Sequence, residues 1–267
     1  MRIRKLHPIG DRIKLLLCLL CLLLVAGNLA RLVYVQLEEK KQATIEQLLQ
    51  TALEPVGTTM YIWGGGWNGA DDGSGATSTQ LGLSPRWKEF AMKQDESYDF
   101  NKHRYEREQG LDCSGYVGWV IYNTFETESG LSGYVTASTD FASSLAQRGW
   151  GKLIENPKEF LPGDIVSMEG HVWICMGTCE DGSVLLVHSS PPGVSVCGTS
   201  VEESKAVFLA TEYMTANHPE WQKKYPKREV SEGYLKNVTL FRWSNEVMGD
   251  AKELQRKSAE EMLRFLQ

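Results

Sequence analysis

Residues 111–122 read LDCSGYVGWVIY, a short polar start followed by an apolar run. This pattern predicts a helix over 111–125, with Asp112 and Ser114 suited to capping its first turn. The first turn of a helix presents unpaired N–H groups and the positive end of the helix dipole. Because thiolate is the nucleophilic form of cysteine, we expect Cys113 in that turn to have a lowered pKa and to be a nucleophile.

Two glycines, Gly115 and Gly118, interrupt the predicted helix. Each weakens a helix by about 1 kcal/mol relative to alanine. Close approach of another backbone is a physical reason to accept that cost, so we expect a second segment to pack against this helix. The alternative for Cys113 is an inert core residue, as free cysteines are among the most buried residue types.

A group of short strands is predicted after this helix. They cover 164–168, 172–176 and 184–187, with two more at 194–197 and 238–243. The third is apolar on both faces, which predicts burial on both sides. A leading helix followed by an antiparallel sheet predicts an α+β domain.

Two histidines lie at the ends of these strands. His171 follows Gly170 at the start of the second strand, and His188 comes directly after the third. A hairpin turn at 180–183 would bring both imidazoles to the same end of the sheet. His171 could then be the general base for Cys113, with His188 fixing its tautomer and orientation. Taken singly, each histidine is more often an ordinary core or surface residue.

Zinc is a rival explanation, because metal-ligating side chains occur at Cys113, His171, Cys175, Cys179 and His188. If His171 and Cys175 share a strand face, they lie roughly 13 Å apart. Two ligands of one zinc ion lie within about 4 Å of each other. The chain also lacks a His-Glu-x-x-His motif. We therefore expect no metal and no other cofactor.

The N-terminus is typical of a targeting element. Residues 1–14 carry a net charge of +4 and precede an apolar run over 15–26, which continues less regularly to Val35. This pattern predicts that 1–36 is a cytoplasmic basic stub with a signal anchor or a cleaved signal peptide. The rest of the chain would then lie in the cell envelope outside the cytoplasm, anchored to the cytoplasmic membrane or secreted. Residues 15–267 carry a net charge of −10, which argues against a nucleic-acid partner.

The exported part is predicted to have three units. A polar stalk helix covers 37–55, a globular domain covers 56–243, and a charged amphipathic helix covers 244–267. Within the domain, a glycine-rich and aromatic insertion runs over about 67–110. Both of its ends lie beside the predicted site, so we expect it to form a lid or side wall there. The alternative is a surface excursion that never meets substrate.

Five elements, in this order, resemble those of the NlpC/P60 cysteine peptidases. They are Tyr61-Ile-Trp-Gly-Gly, Asp112-Cys-Ser-Gly, Pro162-Gly-Asp-Ile-Val, Gly170-His-Val and Val187-His-Ser. The resemblance covers about 56–200. It implies a papain-like α+β fold, with the nucleophile helix packed on an antiparallel sheet. It also implies hydrolysis of the bond between D-γ-glutamate and a diamino acid in peptidoglycan stem peptides.

The same resemblance implies that Cys113 is the nucleophile, His171 the base and His188 the residue that orients the base. Two alternatives remain open. A papain-like amidase, cutting between sugar and peptide, would use the same Cys–His pair. An inactive, membrane-anchored module would bind the wall without turnover, although the intact set of three residues counts against it.

Substrate contacts are also implied by the resemblance. Tyr61 would contribute a phenol near the nucleophile, and Asp112 and Ser114 would meet the free amino end of the substrate. The stretch between Tyr61 and Cys113 is longer than is usual in the family. The expected partners are stem peptides, the membrane through the N-terminal helix, and an envelope assembly that the sequence does not identify.

Overall fold

The computed structural model describes residues 42–200 and 203–266. The predicted targeting element, 1–36, and the first residues of the predicted stalk lie outside this part of the chain. Within the described residues, no helix has the length and apolar character needed to cross a bilayer.

The described chain forms a mixed sheet of nine strands. They are β1 (Met60–Tyr61), β2 (Gly110–Leu111), β3 (Gly151–Glu155), β4 (Ile165–Met168), β5 (His171–Thr178), β6 (Val184–Ser190), β7 (Gly193–Thr199), β8 (Glu229–Val230) and β9 (Thr239–Trp243). The spatial order is β2-β1-β7-β6-β5-β4-β9-β3, and β8 pairs with β7. The pairs β1–β2 and β7–β8 are parallel, and the other pairs are antiparallel.

Seven α-helices accompany the sheet in the described residues. They are α1 (Ile45–Leu53), α2 (Pro85–Met92), α3 (Cys113–Phe125), α4 (Phe141–Gln147), α5 (Lys205–Asn217), α6 (Pro219–Lys224) and α7 (Ala259–Leu266). Short 3₁₀ turns occur at Phe100–His103, Glu232–Leu235 and Leu254–Arg256. The predicted α+β class is confirmed.

The core has two parts, one on each face of the central strands. Along β6, Leu185 and Val187 belong to the larger, helix-covered cluster, while Val184 and Leu186 belong to the smaller one. This alternation follows from the two-residue period of a strand. The predicted burial of 184–187 on both sides is therefore confirmed.

Two of the predicted helical units differ from the structure. The stalk prediction for 37–55 is wrong where it can be compared, because α1 buries Ile45, Leu48 and Leu49 in the core. The prediction of one helix over 244–267 is also wrong, because turns and a 3₁₀ segment precede the short α7. In both cases the burial of the apolar side chains depends on contacts made by the tertiary fold, which a local pattern does not specify.

Helix α3 packs closely against two other segments at its glycines. A Cβ at Gly115 would overlap the carbonyl oxygen of Gly65 and lie 3.0 Å from Gly66 Cα. A Cβ at Gly118 would lie 2.5 Å from Val135 Cγ2 and 3.1 Å from the backbone nitrogen of that valine. The predicted close approach of other chain segments to both glycines is confirmed.

We predict that Gly115→Ala lowers the free energy of unfolding by about 1–3 kcal/mol, because the new methyl group must displace backbone. Gly69→Ala is the matched control, since a Cβ there meets nothing within 4 Å. The control should be neutral or slightly stabilising. Urea unfolding of the full-length chain measures both, and equal stabilities for the two variants would contradict the packing argument.

Candidate active site

The parallel pair β1–β2 brings two distant parts of the chain to the start of α3. Tyr61 pairs with Leu111, which directly precedes Asp112. The hydroxyl of Ser189, near the end of β6, donates to the carbonyl of Leu111 at 2.7 Å. The start of α3 is therefore held between β1 and the end of the histidine-bearing hairpin.

The Asp112 carboxylate organises this junction. One oxygen accepts the backbone N–H of Gly115 at 2.7 Å and the hydroxyl of Ser114 at 3.0 Å. The other oxygen accepts the N–H of Gly64 at 3.1 Å. Burial raises the pKa of Asp112 to about 6, although these hydrogen bonds favour the charged form. Asp112 thus caps α3 and ties it to the glycine-rich segment after β1.

Cys113 lies in the first turn of α3, beside the start of β5. Its thiol is 4.0 Å from the carbonyl oxygen of Gly170, and the N–H of Val172 donates to the sulfur. These two residues flank His171 in sequence. The structure therefore places the thiol of Cys113 against the backbone on both sides of His171.

His171 and His188 form a hydrogen-bonded pair across β5 and β6. Nε2 of His171 lies 2.9 Å from Nδ1 of His188. The registers of these strands make the two residues diagonal neighbours on one face. Since Nε2 is engaged, Nδ1 of His171 is the nitrogen left for the thiol. The structure therefore pairs the two predicted histidines with each other, and Cys113 contacts the backbone beside the first of them.

Tyr234 completes the surroundings of this pair. Its ring lies 5.3 Å from the His171 ring and 5.8 Å from the His188 ring, centroid to centroid. The hydroxyl of Ser190 is a hydrogen-bond partner of the phenol. Tyr234 is not predictable from the sequence, because it lies in a short 3₁₀ turn far from the recognised motifs and no residue spacing identifies it.

Burial controls the ionisation of the candidate triad. It raises the pKa of Cys113 to about 12, and the nearby Asp112 charge raises it further. It lowers the pKa of His171 to about 4 and that of His188 well below its usual range. The expected lowering of the cysteine pKa by the helix terminus is wrong for the free protein, because loss of hydration outweighs the dipole. Near pH 7 the thiol and both imidazoles are neutral.

A groove of about 320 Å³ opens at Cys113, and it contains all three predicted substrate contacts, Tyr61, Asp112 and Ser114. Burial, followed by the charges of Cys113 and Asp112, raises the pKa of the Tyr61 phenol. Ser114 accepts the indole N–H of Trp67 at 3.0 Å while donating to Asp112. Its hydroxyl is therefore largely committed to internal bonds, whereas the Tyr61 phenol has no internal hydrogen bond in the described structure that competes with a ligand.

The ends of the insertion form one wall of this groove. Trp67, Asp71 and Tyr105 line it, and Arg107 donates to Asp71 at 2.5 Å. The middle of the insertion lies elsewhere: in α2, Trp87 is buried with its ring 5.7 Å from that of Trp119. The structure therefore has a side wall at the groove, and the central helix of the insertion packs on α3.

The metal-capable side chains do not converge on a common point. Cys175 is fully buried in the smaller core cluster, and Cys179 lies at the end of the hairpin away from the histidines. Among the described residues, no group of three or more His, Cys, Asp or Glu side chains is arranged to hold a metal ion. Cys113, Cys175, Cys179 and Cys197 are free thiols.

We predict that alkylation of Cys113 by iodoacetamide is slow near neutral pH and rises continuously above pH 9. A pKa raised to about 12 means that thiolate forms only at high pH. Mass spectrometry of the peptide containing Cys113 separates its modification from that of the other cysteines. A rate plateau between pH 5 and 8 would instead indicate a preformed thiolate–imidazolium pair.

Tyr234→Ala should admit water to the two histidines and the thiol, and so reduce the cost of charging the sulfur. Each unit by which the thiol pKa falls gives about tenfold more thiolate at a fixed pH. We therefore expect alkylation at pH 8 to be about tenfold faster or more. Tyr234→Phe keeps the ring and is the control, with a rate close to that of the unmodified protein. Equal rates for the alanine and phenylalanine variants would show that the ring does not shield the site.

Comparison with known proteins gives no match among protein-family models, curated proteins or solved structures. The resemblance to the NlpC/P60 peptidases therefore rests on the five sequence elements alone.

Proposed function

We propose that this chain is an exported cysteine peptidase that hydrolyses the D-γ-glutamyl–diamino acid bond of peptidoglycan stem peptides. The observation that carries the proposal is the contact of Cys113 with the strand start at His171, together with the 2.9 Å bond from His171 to His188. Cys113 opens on the groove of about 320 Å³, which lies within the size range of ligand sites and is lined by Tyr61 and Asp112. A papain-like arrangement of helix and sheet is part of the same proposal.

In the proposed reaction, Nδ1 of His171 removes the thiol proton of Cys113 as the sulfur attacks the scissile carbonyl carbon. The backbone N–H groups of Cys113 and Ser114, in the first turn of α3, can stabilise negative charge that develops there. The protonated His171 then donates to the leaving amine, and a thioester remains. Water, activated by the same nitrogen, hydrolyses the thioester and restores the thiol.

His188 supports this cycle through its bond to His171. If Nε2 of His171 carries the proton and donates it to Nδ1 of His188, then Nδ1 of His171 has the free lone pair that a base needs. His188 also stabilises the positive charge that His171 acquires. Its role is therefore to position the base, and the base itself transfers the protons.

The neutral resting state fits a mechanism triggered by substrate. A charged pair is costly in a dry site, so proton transfer becomes favourable only when the sulfur is bonding to the carbonyl. We assign recognition of the substrate's free amino end to Tyr61 and to the Asp112 carboxylate, which can accept a further hydrogen bond. Ser114 contributes to this recognition mainly by fixing Asp112.

We predict that Cys113→Ala lowers hydrolysis of purified wall by at least about a thousandfold, because it removes the nucleophile. His171→Ala should be nearly as damaging, and His188→Ala should retain more activity, with a loss of roughly 10–100-fold. Cys179→Ala is the control for loss of a thiol outside the groove, and it should keep full activity. Released muropeptide fragments are identified by mass spectrometry.

The same experiment discriminates between the alternatives. Release of free stem peptides from the sugar chains would identify an amidase. No product from the unmodified protein, with binding to the wall retained, would identify an inactive binding module. Equal hydrolysis by the unmodified protein and the Cys113→Ala variant would end the cysteine-peptidase proposal.

We further propose that the N-terminal segment anchors the enzyme to the cytoplasmic membrane with the described domain outside. The full-length chain should then remain in the membrane fraction after high-salt and carbonate washes, with its C-terminus accessible to external protease. A cytoplasmic protein in the same intact cells is the protected control. Recovery of a soluble secreted form that begins near Arg31 would identify a cleaved signal peptide instead.

A further inference from the structure

A second cavity, of about 690 Å³, borders His188 of the histidine pair. His188 and Tyr234 line it, together with the segment that leads from α6 to β8. It shares no lining residue with the groove at Cys113. No step of the proposed mechanism uses this cavity.

Arg228 is the unusual residue of the cavity wall. Only 3% of its surface is exposed, and its Nε and Nη1 atoms are buried without a hydrogen-bond partner. Its Nη2 donates to the carbonyl of Tyr225. Among the described residues, no carboxylate forms an ion pair with it. Buried charges in proteins are normally paired, so this guanidinium has unused donors and unneutralised charge.

The other charges of the wall favour a small anion. Lys224 and Lys227 add positive charge, while Glu96 and Glu229 add negative charge at exposed positions. This near balance disfavours a polyanion, whereas one carboxylate neutralises Arg228. The volume is that of an organic ligand and exceeds what a bare inorganic ion needs.

We propose that this cavity is a binding site for a carboxylate-bearing ligand, with Arg228 as its cation. Charge-assisted hydrogen bonds from guanidinium to carboxylate are among the strongest in proteins. In the tautomer described above, Nε2 of His188 carries a proton, which gives the cavity a second donor next to Arg228. The site therefore couples ligand charge to the catalytic histidines.

The charge of a bound ligand should change the pKa of His188 in one direction. Burial, the neighbouring His171 and the Arg228 charge all lower the pKa of His188. A bound carboxylate offsets the Arg228 contribution and stabilises positive charge on the histidine pair. Occupancy of the cavity should therefore favour the proton transfer from Cys113 to His171.

Two sources supply such a carboxylate. One is the substrate itself, since a γ-linked glutamate keeps a free α-carboxylate; this source rests on the proposed function. The other is a free dicarboxylate in the surroundings. The chemistry of recognition is the same for both, so the experiment has one arm for each source.

The first arm measures binding of glutarate to the full-length chain by thermal unfolding and calorimetric titration, with sodium chloride at equal ionic strength as reference. Arg228→Met should weaken binding about tenfold or more. Lys227→Gln, at an exposed position of the wall, should weaken it less and tests the site even if the Arg228 variant fails to fold. Lys223→Gln, an exposed lysine that does not line the cavity, is the control and should bind normally.

The second arm uses the Cys113→Ala variant and a γ-D-glutamyl–diamino acid dipeptide, with either a free α-carboxylate or an α-amide. Tighter binding of the carboxylate form that disappears with Arg228→Met identifies the substrate as the ligand. Arg228-dependent binding of glutarate without any binding of either dipeptide supports the site while counting against the proposed substrate. If no ligand's affinity depends on Arg228 or Lys227, the proposal is wrong.

Discussion

The buried carboxylate of Asp112 is the interaction on which the candidate site depends. It satisfies N–H groups from two segments, the first turn of α3 and the glycine-rich stretch after β1. Each of these would otherwise leave a buried donor unpaired, which costs more than a hydrogen bond normally contributes. Tyr61 and Cys113 come from opposite sides of this junction. The same side chain thus determines where the nucleophile lies and which residues form its groove.

The exclusion of water from the candidate site is the second determinant of its chemistry. Most of helix α3 and of strands β5 and β6 is buried, His171 is half-buried, and Tyr234 lies against both imidazoles. Loss of hydration disfavours a standing ion pair in such a site, because the hydrogen bonds from three backbone N–H groups offset only part of that loss. Charge separation must then accompany bond formation, when the protein's fixed dipoles are already oriented toward it.

The elements that the sequence predicts correctly are those with a local pattern. The start of α3 at Cys113, the strand ending at His188 and the close contacts at Gly115 and Gly118 follow from capping, alternation and propensity. The proximity of His171 and His188 followed from the predicted hairpin. These features need only neighbouring residues to be predicted.

Other features depend on contacts between distant parts of the chain. Tyr234 and Arg228 lie near His188 because the segment after α6 pairs with the sheet at β8. No sequence motif predicts that pairing. The buried position of α1 and the broken C-terminal unit are equally tertiary outcomes. The rise in the pKa of Cys113 on burial was also not predicted from its position in a helix. A single sequence does not show how much solvent reaches a side chain.

The parallel pairing of β1 with β2 has a consequence for the order of assembly. Met60 pairs with Gly110, so this contact closes a loop of about fifty residues, whereas the hairpin that carries His171 and His188 is short. Closing the longer loop costs more chain entropy, and non-local pairing is slow to form. We therefore expect the histidine hairpin to form early in folding and the junction around Cys113 to form late. Until then the thiol is hydrated and has an ordinary acidity. The newly made chain therefore passes through a stage in which this sulfur is more open to oxidation than it is in the folded protein.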